Sequence, residues 1–175
     1  MAVFSDAEND NRFASRSGAS STDQWVSLTL FQRRDENDKA VFYPIDESIP
    51  KDAAIACAYE DRSTSPFSYL IVFAVDPNGN FFWYYPADDP NGEPVSIATS
   101  GSQGKNPLPD EVVHEFSEGA LRFFGIFSHV PLKAVKVEET VKNQLAAVRD
   151  LSKLTRIDIK GTGQWTRQIL IREEG

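Results

Sequence analysis

Ser68-Tyr69-Leu70-Ile71-Val72-Phe73-Ala74-Val75-Asp76-Pro77-Asn78-Gly79-Asn80-Phe81-Phe82-Trp83-Tyr84-Tyr85-Pro86 carries the strongest structural signal in the chain. Tyr69 to Val75 is an unbroken apolar run, rich in β-branched and aromatic residues and too short for an ordinary helix. It reads as a strand buried on both faces. Asp76-Pro77-Asn78-Gly79 reverses the chain: Pro77 presets φ for a type I turn, Asp76 accepts from the backbone, and Gly79 takes the left-handed position. Phe81 to Tyr85 returns as a second strand, which Pro86 ends. Strict alternation along it places Trp83 and Tyr85 on one face, Phe82 and Tyr84 on the other.

Upstream, Val26, Leu28 and Leu30 alternate with Trp25, Ser27, Thr29 and Phe31, so a strand with an aliphatic face is expected there. Arg33 to Asp38 reads as a charged hairpin loop, Lys39 to Tyr43 as the returning strand, and Ile49 to Asp52 as a turn. Ala53 to Glu60 is a further strand. Residues 1–23 are rich in Ser, Asn, Asp and Gly, with Phe4 and Phe13 isolated among them. They read as a flexible tail or linker, or as a docking peptide working through those two rings.

Downstream, Ala87 to Gly92 is turn-rich, Pro94 to Ile97 a short strand, and Asp110 to Glu118 an extended segment. Leu121 to Phe127 is a strong strand, in which Gly125 signals a bulge or the close approach of a neighbour. Val137, Val141, Leu145, Val148 and Leu151 recur at helical spacing, which predicts one amphipathic helix over 132–151. Arg156 to Lys160 is read as a short strand, Gly161-Thr162-Gly163 as a turn, and Trp165 to Arg172 as the last strand. The pattern predicts a mainly β chain with one late amphipathic helix. The expected fold is a β-sandwich of immunoglobulin-like type, a single domain over 24–175.

With 175 residues, 41% hydrophobic and 11% aromatic, the chain is large enough to bury a real core. A formal charge of −8 disfavours nonspecific binding to nucleic acid or anionic membrane. Cys57 is the only cysteine, so an intrachain disulfide and a cysteine-based zinc site are excluded, and its apolar surroundings predict a buried thiol. No apolar run approaches the length of a membrane span, and the amino terminus carries no signal-peptide core.

Candidate chemistry is sparse. His114 and His129 are the only histidines, and no serine, including Ser128, has the glycine pattern of a nucleophile elbow. Asp88-Asp89-Pro90-Asn91-Gly92-Glu93 offers oxygen ligands but not the spacing of a calcium loop. Trp83 and Tyr85 are the candidate binding residues, because aromatics on a strand stack sugars or anchor protein partners. Asp88, Asp89 and Asn91 in the adjacent loop would border that patch. No cofactor or metal is expected.

The hairpin resembles the signature of a bacterial domain family of unknown function, in which Tyr-Leu and further hydrophobics lead to Asp-x-x-Gly and then to an aromatic-Pro pair. Ser128-His129-Val130-Pro131-Leu132 resembles the same family's Ser-x-x-Pro-Leu, whereas Lys51 stands where the family usually has Gly. The resemblance spans roughly Gln24 to Arg172. It implies an accessory β-sandwich, similar to modules fused to anti-sigma factors, kinases or caspase-like peptidases, with a protein partner and no known catalytic residue. In the anti-sigma-like arrangement such a domain follows a membrane anchor and is extracytoplasmic; otherwise it is cytoplasmic. The expectation is therefore a non-enzymatic recognition or regulatory module. The alternatives are a structural subunit of an envelope assembly and a hydrolase using His129 or His114.

Overall fold

Apolar alternation in the first third of the chain and an unbroken apolar run in the second produce two kinds of strand, and the layering follows from that difference. The computed structural model describes residues 3–4, 23–86, 92–109 and 111–173. The first half contains β1 (Val3–Phe4), β2 (Val26–Glu36), β3 (Lys39–Pro44), β4 (Ser48–Pro50), β5 (Ala54–Asp61), β6 (Tyr69–Val75) and β7 (Phe81–Tyr85). The second half adds β8 (Ile97–Ala98), β9 (Asn106–Pro107), β10 (Val112–Val113), β11 (Gly119–Ser128), helix α1 (Ala134–Val148) and β12 (Thr162–Arg172). A single 3-10 turn, Leu151–Lys153, lies between α1 and β12.

The first sheet has the order β1-β3-β2-β5-β10, with β9 also on β5; the second has the order β4-β12-β11-β6-β7, with β8 also on β6. They stack as a β-sandwich. Val26, Leu28 and Leu30 turn inward from β2, as the alternation predicts, and meet Val72, Phe123 and Trp165 of the second sheet. The far face of the second sheet is covered in turn. Ile71, Phe73 and Val75 of β6 pack there with Val137 and Val141 of α1 and with Leu151, Leu154 and Ile157. A strand between two apolar layers has no solvent face, which is why Tyr69 to Val75 shows no polar alternation. Each such side chain contributes about 1.5–3 kcal/mol by leaving water.

Cys57 is buried in the inter-sheet core, and burial pushes its thiol pKa far up, so it is a packed thiol and not a reactive one. Among the described residues Arg122, 2% exposed, is the one buried side chain that carries a charge. It lies on the helix side of β11, donates to Ser152 O at 3.2 Å and to Gln168 Oε1 and Thr166 Oγ1 at 3.4 Å, and fixes the 3-10 turn against the sheet. Desolvation lowers its pKa.

Several boundaries differ from the sequence reading. β2 runs on through Glu36, so the expected loop Arg33 to Asp38 shrinks to Asn37 and Asp38, at φ 50° and 62°. Both residue types tolerate the left-handed region, as a two-residue hairpin turn requires. The charges do not break the strand because this end is exposed: Arg33 pairs with Asp35 and Glu111, and Tyr43 Oη donates to Glu36 at 2.7 Å. Ser48–Pro50 is a strand parallel to β12, not only a turn. Val3–Phe4 pairs in parallel with β3. Arg156 to Lys160 is not a strand. In α1 the stripe ends early: Val148 is 40% exposed, and Arg149 closes the helix at φ 57°.

The turn at Gly79 conforms to its sequence. Gly79 has φ 82°, its N–H donates to Asp76 O at 3.0 Å, and Asp76 Oδ1 accepts from the N–H groups of Asn78 and Asn80 at 2.9 Å. An added Cβ would meet only Leu145 Cδ2 at 3.8 Å, an ordinary contact, so the penalty there is conformational. Gly79→Val is expected to cost about 1–2 kcal/mol. Asn78→Ala, whose backbone bond is retained, is expected to cost less. Urea unfolding of the two variants checks the order.

Candidate functional site: the aromatic hairpin and the groove beside it

β7 is the edge strand of the second sheet, and its register decides which aromatics it presents. Phe81, Phe82 and Trp83 face Val75, Ala74 and Phe73, after which the register shifts and Tyr85 faces Val72. Tyr84 is the extra residue of a bulge. A bulge interrupts alternation, so Phe82, Tyr84 and Tyr85 all belong to the inter-sheet core while Phe81 and Trp83 turn to the helix side. The expected grouping of Trp83 with Tyr85 is corrected accordingly. Tyr85 is 5% exposed and Tyr84 fully buried. Asp88, Asp89 and Asn91 lie outside the described residues.

Trp83 instead forms a stack with Phe81, ring centroids 5.8 Å apart, and both rest on Phe73 at 5.1 and 5.7 Å. Phe81 and Trp83 are only partly buried. Lys142 of α1 reaches over Phe81, its Nζ 5.7 Å from the ring centroid, while also pairing with Glu138.

Beyond Lys142 lies an open groove of about 410 Å³ between the β6–β7 turn and the end of α1. Pro77, Gly79, Leu145 and Leu151 give it apolar walls, and Asn78, Lys142 and Arg149 its polar rim. The Arg149 guanidinium has no hydrogen bond or ion pair among the described residues; only its backbone N–H is engaged, to Leu145 O at 2.8 Å. A second groove of about 340 Å³ is lined by Gln144, Arg156 and residues 157–161. Of its polar side chains, two are committed: Gln144 bonds Arg156 O and Asp158 N, and Arg156 pairs with Asp23 at 2.9 Å.

The histidines occupy structural positions. His114 Nε2 lies 2.8 Å from Trp83 O, so that nitrogen donates, and the ring packs edge-on against Tyr84 and Phe82. It caps the outward carbonyl of an edge strand, where another chain could otherwise pair. His129 is exposed and lies over Phe67 at 4.5 Å, while Ser128 Oγ donates to Val130 O at 2.7 Å. Among the described residues no group of three or more His, Cys, Asp or Glu is placed to hold a metal, and no helix is long and apolar enough to cross a membrane.

Phe81, Asn78, Lys142 and Arg149 were not singled out as site residues by the sequence. Lys142 and Arg149 show there only as charges off the helical stripe. Comparison with protein-family models, curated proteins and solved structures finds no match to this chain. The functional reading rests on the site itself.

Proposed function

We propose that this chain is a non-enzymatic recognition module of a bacterial signalling or envelope system, and that it binds an acidic protein segment. The single observation carrying this reading is the continuous surface from Trp83 and Phe81, across Lys142, into an apolar groove rimmed by Arg149, whose guanidinium has no partner among the described residues. Interface energy concentrates in aromatic and arginine anchors. A cationic rim on a chain of net charge −8 selects partners of opposite sign locally, while the overall field discourages nonspecific adhesion. Of the residues first expected, Trp83 is assigned a binding role, whereas Tyr85 lies in the inter-sheet core on the other side of the sheet.

Peptides selected from a random display library against the full chain are expected to combine Asp or Glu with an aromatic or aliphatic anchor. Trp83→Ala and Lys142→Glu are each expected to weaken Kd by about tenfold, close to 1.4 kcal/mol. Fluorescence anisotropy reads the affinity, and Lys142→Glu should melt within a few degrees of wild type, since the like-charge pair it makes with Glu138 costs only about 0.5 kcal/mol. Selected peptides that lack acidic residues and bind both variants as tightly as wild type would remove the reading.

A further inference from the structure

The outer edge of β7 presents main-chain groups as well as rings. Asp76 N donates to Asn80 O at 3.1 Å across the hairpin. Along an antiparallel strand the backbone turns to its partner at every second residue. Asn80 and Phe82 therefore face β6, and the N–H and C=O of Phe81 and Trp83 point away from it. The His114 contact agrees, since Nε2 meets Trp83 O at 2.8 Å on that outer side. Among the described residues, Phe81 N–H, Phe81 C=O and Trp83 N–H have no hydrogen-bond partner.

Protein edges are ordinarily blunted by a proline, a bulge or a cap. β7 carries all of these, but only from Trp83 O onward: the His114 cap, the bulge at Tyr84, and Pro86. The stretch Phe81-Phe82-Trp83 is apolar and has none of them along its own chain. An edge closed at one end and open at the other is suited to receive a short extended segment, whose main chain supplies the missing partners.

The face above the edge selects the segment. Side chains of an added strand alternate, and those level with Phe81 and Trp83 lie on the helix side. There they meet the Phe81–Trp83 stack and Lys142 Nζ, which is 5.7 Å from the Phe81 ring centroid. A carboxylate at one such position faces the Lys142 ammonium, and an apolar side chain at the other extends the stack. β7 begins just after Gly79, a wall of the groove rimmed by Asn78, Lys142 and Arg149. A strand laid along β7 thus ends where that groove opens.

We propose that the acidic segment binds by strand addition, pairing its main chain with Phe81 N–H, Phe81 C=O and Trp83 N–H, and that His114 marks where the pairing stops. The inference rests on the recognition reading above and specifies how the segment is held.

The probe is the tightest-binding peptide of the display selection, and amide exchange resolved by NMR in the intact chain is the readout. In the free chain the Phe81 and Trp83 amides are expected to exchange at least about tenfold faster than that of Phe82, which is paired with Ala74. Saturating peptide should slow both by about tenfold or more and leave Phe82 unchanged. Of the outward carbonyls of Phe81 and Trp83 only Phe81 O is open, so a single peptide N–H finds an acceptor there. N-methyl groups walked singly along the peptide should therefore cost about tenfold at one residue and less than about threefold at its immediate neighbours. Phe81 and Trp83 amides as slow as Phe82 in the free chain overturn strand addition. So does a bound peptide that leaves them fast, or one that loses affinity equally at three consecutive N-methylated residues; in both cases the recognition reading stands. A selection that yields no binding peptide removes both.

Discussion

Gly125→Ala lowers the unfolding free energy by about 1–3 kcal/mol, the usual cost of overpacking a filled core. Gly125 sits midway along β11, between Val72 of β6 and Trp165 of β12. A Cβ built there falls 2.3 Å from Leu28 Cδ1 and 3.0 Å from Leu28 Cγ, well inside carbon–carbon contact. Leu28 is 5% exposed on the facing sheet, so its side chain has no solvent into which it can swing. The absence of a side chain at Gly125 is what admits the knob of Leu28. Urea denaturation reads the loss as a lower midpoint with an unchanged slope. Leu28→Ala alone costs about 2–5 kcal/mol through its cavity, but should cost less in the Gly125→Ala background, where the new methyl fills part of it. Strict additivity of the two losses would show that the sheets do not meet at this point.

Gln164→Leu removes a different kind of support. Gln164 is 2% exposed and its amide serves Ile157 as a strand partner would: Oε1 accepts from Ile157 N at 2.8 Å and Nε2 donates to Ile157 O at 2.8 Å. Nε2 also donates to Thr162 Oγ1 at 2.9 Å. Leucine has a similar volume and supplies none of these bonds, so the Ile157 N–H is left unpaired at about 1–3 kcal/mol, while Ile157 O keeps only its bond from Ile159 N at 2.8 Å. The variant is expected to lose about 1–3 kcal/mol. The Ile157 amide should also exchange faster with solvent deuterium than the amides of β11. Exchange at Ile157 that keeps its wild-type rate would remove this account of the clip.

The same clip explains why Arg156 to Lys160 misled the sequence reading. Its apolar alternation is real, since Ile157 is 1% exposed, but the backbone partner is a side chain and not a strand. Elements whose determinants are local were legible: the Asp76-Pro77-Asn78-Gly79 turn, the stripe through Val137 and Val141, and the inward row Val26, Leu28, Leu30. Elements fixed by a partner far along the chain were not. Ser48–Pro50 and Val3–Phe4 are too short to show a period, and each exists through parallel pairing with a strand elsewhere. The bulge that takes Tyr85 away from Trp83 is a property of the β6–β7 register, which neither strand declares alone. At the candidate site Trp83 stood out by type. That Lys142 and Arg149 share a groove with Pro77 and Gly79 depends on how α1 crosses the second sheet.

The position of β12 sets the order in which the protein can be made. It is the last strand in the chain, yet in the second sheet it lies between β4 and β11. While the polypeptide is being synthesised, β4 has no partner and one edge of β11 stays open, with the apolar row Leu121, Phe123 and Phe127 unable to close its sheet. At about 5–20 residues per second, translation from Ser128 to Arg172 takes roughly 2–9 s. Open strand edges and apolar rows are what neighbouring nascent chains associate through. The second sheet can therefore close only once residues 162–172 have been made, and until then association through the open edges of β4 and β11 competes with folding.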